Sequence, residues 1–266
     1  MDCDRKCHFA EYYEWSKLAA SKALELEVLG TDYGGTSWTT IDQARHVASS
    51  LALDSNSRLL EVGSGAGWPG LFLAKTKSCE VTLLDVPLNA LEYAAERAAS
   101  DGTTGRVQLV NGDATALPFN DESFNCLSHS DVLCCLPEKL EMLKECRRVT
   151  TPGGRMHFSV IKPAPELSPS DYQKVVDAGP PYVGLSGSYD SLLTKASWQV
   201  LERVDVTAEF GKALQKLITA LKRNTPELQE AFGVQDLRDE WRHNEDELAL
   251  ATAGMYQRVI FVAIAT

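Results

Sequence analysis

The 266-residue chain carries 26 Lys+Arg against 37 Asp+Glu, a formal charge of −11, and is 44% hydrophobic. That apolar content suffices for a packed core, and no stretch approaches the ~18 consecutive apolar residues of a membrane span. The acidic balance, with no local cluster of basic residues, argues against a nucleic-acid partner.

The amino end, MDCDRKCHFAEYYEW, has neither the apolar segment of a signal peptide nor the acid-poor composition of a transit peptide, so a cytoplasmic address is expected. Cys3-x3-Cys7-His8 offers three ligands with no matching second half, and no metal is expected there. With Cys79, Cys126, Cys134, Cys135 and Cys146 the thiols number seven, an odd and scattered set that reads as reduced. The adjacent Cys134 and Cys135, following Leu133, read as small buried hydrophobes. Residues 9–29 carry a helical pattern. After the turn-rich TDYGGTSW, Thr39 or Thr40 can cap a second helix with Ile41, Ala44, Val47, Ala48 and Leu51 on one face.

From residue 58 strands and helices alternate. RLLEV (58–62) is a strand, WPGLFLAKTK a helix opened by proline, CEVTLLDV (79–86) a strand, and PLNALEYAAERAAS a helix with Pro87 at its first position. RVQLV (106–110) and SFNCLSHS (123–130) are strands, PEKLEMLKECRRV a helix, and GGRMHFSVI (153–161) a strand. This alternation implies right-handed crossovers and a doubly wound α/β domain. Beyond it YDSLLTKASW is helical and WQVLERVDVT strand-like. Phe210, Leu214, Leu217, Ile218 and Leu221 recur at helical spacing, a charged stretch LRDEWRHNEDELALATAG follows, and the chain ends on a β-rich run, 256–265. One domain with an insertion is the economical reading.

The turn after the first strand, GAGWPG, spells the dinucleotide fingerprint G-x-G-x-x-G. Glycines there let a ligand approach the backbone and its free N–H groups, without naming the ligand. Three features point away from a dinucleotide. More than fifty residues precede the strand; Glu61 extends the loop to E-x-G-x-G-x-G through Gly63, Gly65 and Gly67; and two further acids, Asp85 and Asp113, stand at the ends of the next two strands. A carboxylate at the second strand can accept from both ribose hydroxyls, and an acid with a following amide at the third suits an adenine edge. Together they outline an adenosine with a polar, charged tail near the glycine loop.

LLEVGSGAG (59–67), VTLLD (81–85), NGDATALPFNDESFNCLSHSDVLCCLP (111–137) and RRVTTPGGRMHFSV (147–160), taken in order, resemble the motifs of class I S-adenosylmethionine (AdoMet) methyltransferases. The resemblance spans roughly 39–206 and implies a seven-stranded sheet, parallel except for its last strand, with N-terminal helices and a helical insertion before that strand. It implies AdoMet as cofactor, with Gly63, Ser64, Gly65 and Gly67 against the methionine part, Glu61 near the loop, and Asp85 on the ribose. Val86 would flank the adenine, Asp113 and Ala114 bind its edge, and Ser130 sit beside the methyl group. The N/D-P-P-Y/F that serves adenine or glutamine amines is replaced by HSDVLCC, so a small-molecule acceptor is expected.

Transfer from a sulfonium needs an N, O, S or C nucleophile held in line, and a general base is optional. His129 is the histidine expected at the sheet's carboxyl edge, with Asp131 as the second candidate. Residues 1–57 then form a helical cap, 58–161 the AdoMet-binding core, and 162–189 and 207–254 segments that cover the substrate, bringing Tyr172, Tyr182 and Tyr189 near it. Tyr12, Tyr13 and Trp15 suit either closure of the remaining side or plain packing. A nicotinamide oxidoreductase and a non-catalytic AdoMet- or nucleoside-binding regulator stand as the alternatives.

Overall fold

The computed structural model describes residues 12–223 and 225–266. Cys3, Cys7 and His8 therefore lie outside the described residues. Five strands, β1 (Arg58–Val62), β2 (Glu80–Asp85), β3 (Val107–Asn111), β4 (Phe124–Ser130) and β5 (Thr150–Pro163), run parallel. β6 (Trp198–Asp205) joins them only through β7 (Tyr256–Ala265), which is antiparallel to both β5 and β6. The seven strands form one sheet of order β3-β2-β1-β4-β5-β7-β6, the arrangement the resemblance implied.

Alternation along the strands divides the core. Leu60, Val62, Leu127, Phe158 and Val160 pack on one face, and Leu59, Val81 and Leu83 on the other. Because β1 is covered on both faces, four consecutive residues from Leu59 to Val62 are buried, including Glu61. A cross-strand aromatic row stiffens the first face: His129 stacks on Phe158 at 4.7 Å, and Phe158 on Phe261 at 5.0 Å.

The helices between strands follow the sequence closely. They are α3 (Gly70–Lys77), α4 (Leu88–Ser100), α5 (Lys139–Arg148) and α7 (Tyr189–Lys195), preceded by α1 (Ala19–Leu29) and α2 (Ile41–Ser50). Thr40 caps α2 through a reciprocal box with Gln43, while the Thr39 carbonyl accepts from the Trp68 indole at 2.7 Å. Thr40→Ala is expected to destabilise the protein by about 1 kcal/mol in a urea titration, the usual cost of a lost cap.

Four local expectations are corrected. The first helix is interrupted: 12–16 is helical, Lys17 and Leu18 turn, and α1 starts at Ala19, the Leu18 N–H returning to the Trp15 carbonyl at 3.0 Å. Pro69 and Pro87 occupy cap positions, so α3 and α4 begin one residue after them. β5 extends beyond 153–161 at both ends: Thr150 pairs with Phe124 of β4, and β7 pairs with the strand as far as Pro163. The 162–189 segment contains an unexpected helix, α6 (Pro169–Ala178), with Ser168 as its cap and a proline in its first turn.

Between β6 and β7 lie α8 (Thr207–Arg223), α9 (Thr225–Phe232) and α10 (Val234–Thr252). β6 ends and β7 begins at the carboxyl edge of the parallel strands, so this layer leaves and re-enters the sheet at the edge where open α/β sheets bind ligands. Leu24 of α1 packs with Ala220, Leu221, Leu228 and Leu237, joining the N-terminal helix to the same layer.

Candidate active site

The glycine loop is built by the end of β1. The N–H groups of Gly63 and Ser64 both donate to the Leu84 carbonyl, at 2.8 and 3.1 Å, and the Gly67 N–H donates to Ser64, folding the chain back toward α3. Gly65 has φ 53°, and a Cβ there would lie 2.5 Å from the Tyr13 hydroxyl. Gly63 has φ 67°, and its Cβ would meet Val132 at 2.5 Å. Both positions need glycine for backbone conformation and for close approach.

Two acids flank this cradle, Glu61 buried and Asp85 half-buried. Asp85 accepts from the Gly65 N–H at 2.6 Å and from the Val86 N–H at 2.7 Å. Burial raises its pKa against the pull of those two amides. Glu61, 1% exposed, lies against Gly70 at the start of α3. Burial pushes it up to about 8, with the Asp85 charge adding and the Gly70 amide opposing. Its Oε2 and the Ser64 hydroxyl are buried without a hydrogen-bond partner among the described residues.

The third acid stands one strand further out. Asp113 accepts from the Thr115 N–H and hydroxyl, both at 2.8 Å, forming its own turn before Ala114 is left half-buried. Asn111 at the end of β3 donates to the Asp85 and Val86 carbonyls at 3.2 and 2.7 Å, which ties the Asp85 loop to the Asp113 loop. The expected cofactor residues from Glu61 to Ala114 thus share the carboxyl edge of three neighbouring strands.

The residues after β4 take different positions from one another. Ser130 is half-buried at the strand end, in register with Ser159. His129 is fully buried in the aromatic row, both ring nitrogens without a partner among the described residues, and burial lowers its pKa to about 3. This removes the geometric support for a base role: the ring shares the Leu127 face of β4 and packs into the core. Asp131, at φ 57°, has both oxygens engaged. Oδ1 accepts from Ser159 at 3.0 Å, Oδ2 from the Trp38 N–H at 3.2 Å, and the Arg258 guanidinium spans the pair at 2.9–3.2 Å. Its carboxylate is a fixed counter-ion holding the 131–135 turn.

Tyr13 crosses the loop from the amino-terminal side. It is 3% exposed, hydrogen-bonded to Thr36 at 3.2 Å and packed with Ala66, Ala90 and Tyr93. The segment carrying Thr36 is held by Glu25, which accepts from the Gly34 and Gly35 N–H groups at 2.6 and 3.1 Å. Of the other aromatics, Tyr189 joins the Phe158–Phe261 row and Tyr172 accepts from the Leu185 N–H at 2.9 Å. The Tyr182 N–H donates to the Cys134 carbonyl.

Residues 60–158 match the Methyltransferase domain family. The glycine loop, Asp85 and Asp113 all lie inside that match. Residues 60–158 are thus a methyltransferase domain. Among curated relatives, methyltransferase GfsG of Streptomyces halstedii is 29% identical over 199 residues, covering 72% of this chain and 70% of the relative. A demethylmenaquinone methyltransferase of Staphylococcus epidermidis is 38% identical over 112 residues, covering 41% and 45%. The second match thus spans less than half of the relative. The fold is shared with Haemonchus contortus phosphoethanolamine N-methyltransferase 2, solved with phosphomonomethylethanolamine and S-adenosylhomocysteine, at TM-score 0.77 and 16% identity over 97% of this chain and 60% of that one. Among the described residues no helix is long and apolar enough to cross a membrane.

The buried acids give the unliganded protein a definite pH dependence. Glu25, Glu61 and Glu247 are raised by burial to about 7, 8 and 8, so folded molecules hold protons that the unfolded chain has released. Their stabilising effect is present below the ordinary carboxyl range and is lost as pH rises through these values. His129 and His157, both lowered to about 3, act in the opposite sense only below about 6.5. Between pH 6.5 and 8 the thermal midpoint is therefore expected to fall by several degrees. A flat or rising midpoint in that window would contradict the burial of these carboxyls.

Proposed function

We propose that this enzyme methylates a small molecule, with AdoMet lying across the carboxyl edge of β1, β2 and β3. The observation that carries this is the cradle itself: the unpartnered Glu61 Oε2 and Ser64 Oγ, the close-packed glycines, and Asp85 on the loop amides. A buried and a half-buried carboxyl, with no cation beside them among the described residues, suit a ligand that brings an ammonium and a sulfonium. Glu61 and the glycines 63, 65 and 67 then receive the methionine part, Asp85 and Val86 the ribose and adenine, and Asp113 with Ala114 the adenine edge. Bound AdoMet supplies an electrophilic methyl.

The chain's own residues orient and enclose. Asp131, fixed by Arg258, sets the turn at 131–135, and Val132 presses over Gly63. Tyr13 covers Gly65 and separates the loop from water. The helices in 162–189 and 207–254 stand over the acceptor side, in keeping with a metabolite-sized space. His129 and Asp131 contribute packing and position, and the nucleophile's proton leaves by another route.

The test is to incubate the purified protein and methyl-labelled AdoMet with a fractionated metabolite extract and identify labelled products by mass. A labelled metabolite is expected. Tight binding of AdoMet with no labelled product in any fraction would instead make the protein a non-catalytic binder.

A further inference from the structure

A row of polar side chains crosses the sheet on the face that α2 covers. Glu61 of β1 stands in register with Ser128 of β4, Ser128 with His157 of β5, His157 with Val262 of β7, and Val262 with Glu202 of β6. Leu59 and Cys126, each two residues earlier, pack with Ala44 and Val47 of α2, which fixes the face. Glu61, Ser128 and His157 are buried, and Glu61 Oε2, Ser128 Oγ and His157 Nδ1 have no hydrogen-bond partner among the described residues. In-register neighbours stand one strand spacing apart, about 4.8 Å, so a turn of the Ser128 hydroxyl or a bridging water joins these three orphan atoms.

From His157 the row continues outward. His157 Nε2 lies 3.4 Å from Nδ1 of His46 on α2, the rings meeting edge to face, and His46 Nε2 lies 3.7 Å from Glu202 Oε2. His46 thus carries the row past Val262 to a half-exposed carboxylate. The other charged or titratable groups nearby are committed elsewhere. Asp85 holds the Gly65 and Val86 amides, Arg155 donates to the Ser50 carbonyl at 3.0 Å, Arg258 is bound to Asp131, and His129 stacks on Phe158 across the sheet.

We propose that this row is a proton path, which carries the Glu61 proton from the cofactor cradle to solvent at Glu202 when a cationic ligand takes Glu61 as its counter-ion. This rests on the AdoMet reading above. In the unliganded protein Glu61 is shut from water with no cation beside it among the described residues, and its raised pKa, about 8, keeps it protonated at neutral pH. An incoming ammonium favours the carboxylate. The ligand fills the cradle, and the row offers an exit on the far side. With both rings protonated on Nε2, the Glu61 proton passes to Ser128 Oγ as the Ser128 proton passes to His157 Nδ1. The His157 Nε2 proton moves to His46 Nδ1, and the His46 Nε2 proton to the Glu202 carboxylate. Glu61 ends as a carboxylate, and Glu202 yields its proton to water. Each ring loses a proton as it gains one, so no imidazolium accumulates at buried His157, which burial keeps neutral.

Rapid mixing with S-adenosylhomocysteine near neutral pH tests the path, with tryptophan fluorescence following binding and an indicator dye following protons in solution. The wild type is expected to release about one proton per site, in step with binding. Ser128→Ala removes an orphan hydroxyl and should cost the fold little. Its proton release should lag binding by about tenfold or more, with final amplitude and affinity unchanged. Should that variant fail to fold, His46→Phe, at the partly exposed end of the row, should show the same lag. Binding without proton release in the wild type, or release that keeps step with binding in the variant, would overturn the proposal. Failure of S-adenosylhomocysteine to bind at all would overturn the AdoMet reading itself, so the two failures are told apart.

Discussion

Asp85→Ala is expected to weaken S-adenosylhomocysteine binding by about 1.5–3 kcal/mol, roughly 10- to 150-fold, the range for hydrogen bonds to a charged acceptor. In the unliganded protein Asp85 holds the Gly65 and Val86 amides. The ligand therefore meets a loop already shaped by this carboxylate, and the substitution removes both the proposed ribose acceptor and that shaping. The cost to folding should be small, because burial already disfavours the charged form. Asp85→Asn keeps one acceptor oxygen and should fall between. Calorimetry reads both, and unchanged affinity in Asp85→Ala would remove Asp85 from the site.

The largest loss of stability is expected at Arg258. Its side chain is fully buried and is the only described cation within ion-pair distance of Asp131. Arg258→Met would leave that carboxylate buried and uncompensated, at a cost of about 3–5 kcal/mol. The double variant Arg258→Met/Asp131→Asn removes the orphaned charge. Asn also tolerates the left-handed backbone at 131, so the pair should recover a large part of the loss. Urea unfolding measures both. A single variant within 1 kcal/mol of the wild type, or a double variant no better than the single, would show that the ion pair does not hold this turn.

The first five strands were legible because each is an apolar run punctuated by Gly, Pro or a polar cap, and tertiary packing had no conflicting local signal to override. Helix α6 was hidden because Val175 is its sole buried hydrophobe; only the Ser168-Pro169 start marked it. In α10 half the buried face is polar, Asn244 and Glu247, so hydrophobic periodicity could not reveal which side faces inward. The burial of His129 was itself readable. It stands two residues from Leu127, and alternation alone sends both to the same core face. Arg258 also left a trace as a lone charge in the run YQRVIFVAIA, which in a central strand requires a buried partner. No sequence rule could say that the partner is Asp131, 127 positions earlier.

Hydrogen exchange with and without S-adenosylhomocysteine tests the placement of the site most directly. The account predicts added protection at 63–67, at Val86 and around 113–115. A second, weaker set is expected in 131–135 and in the covering segments 162–189 or 207–254. Protection confined to other parts of the sheet, with the glycine loop and the Asp85 turn exchanging as in the free protein, would contradict it.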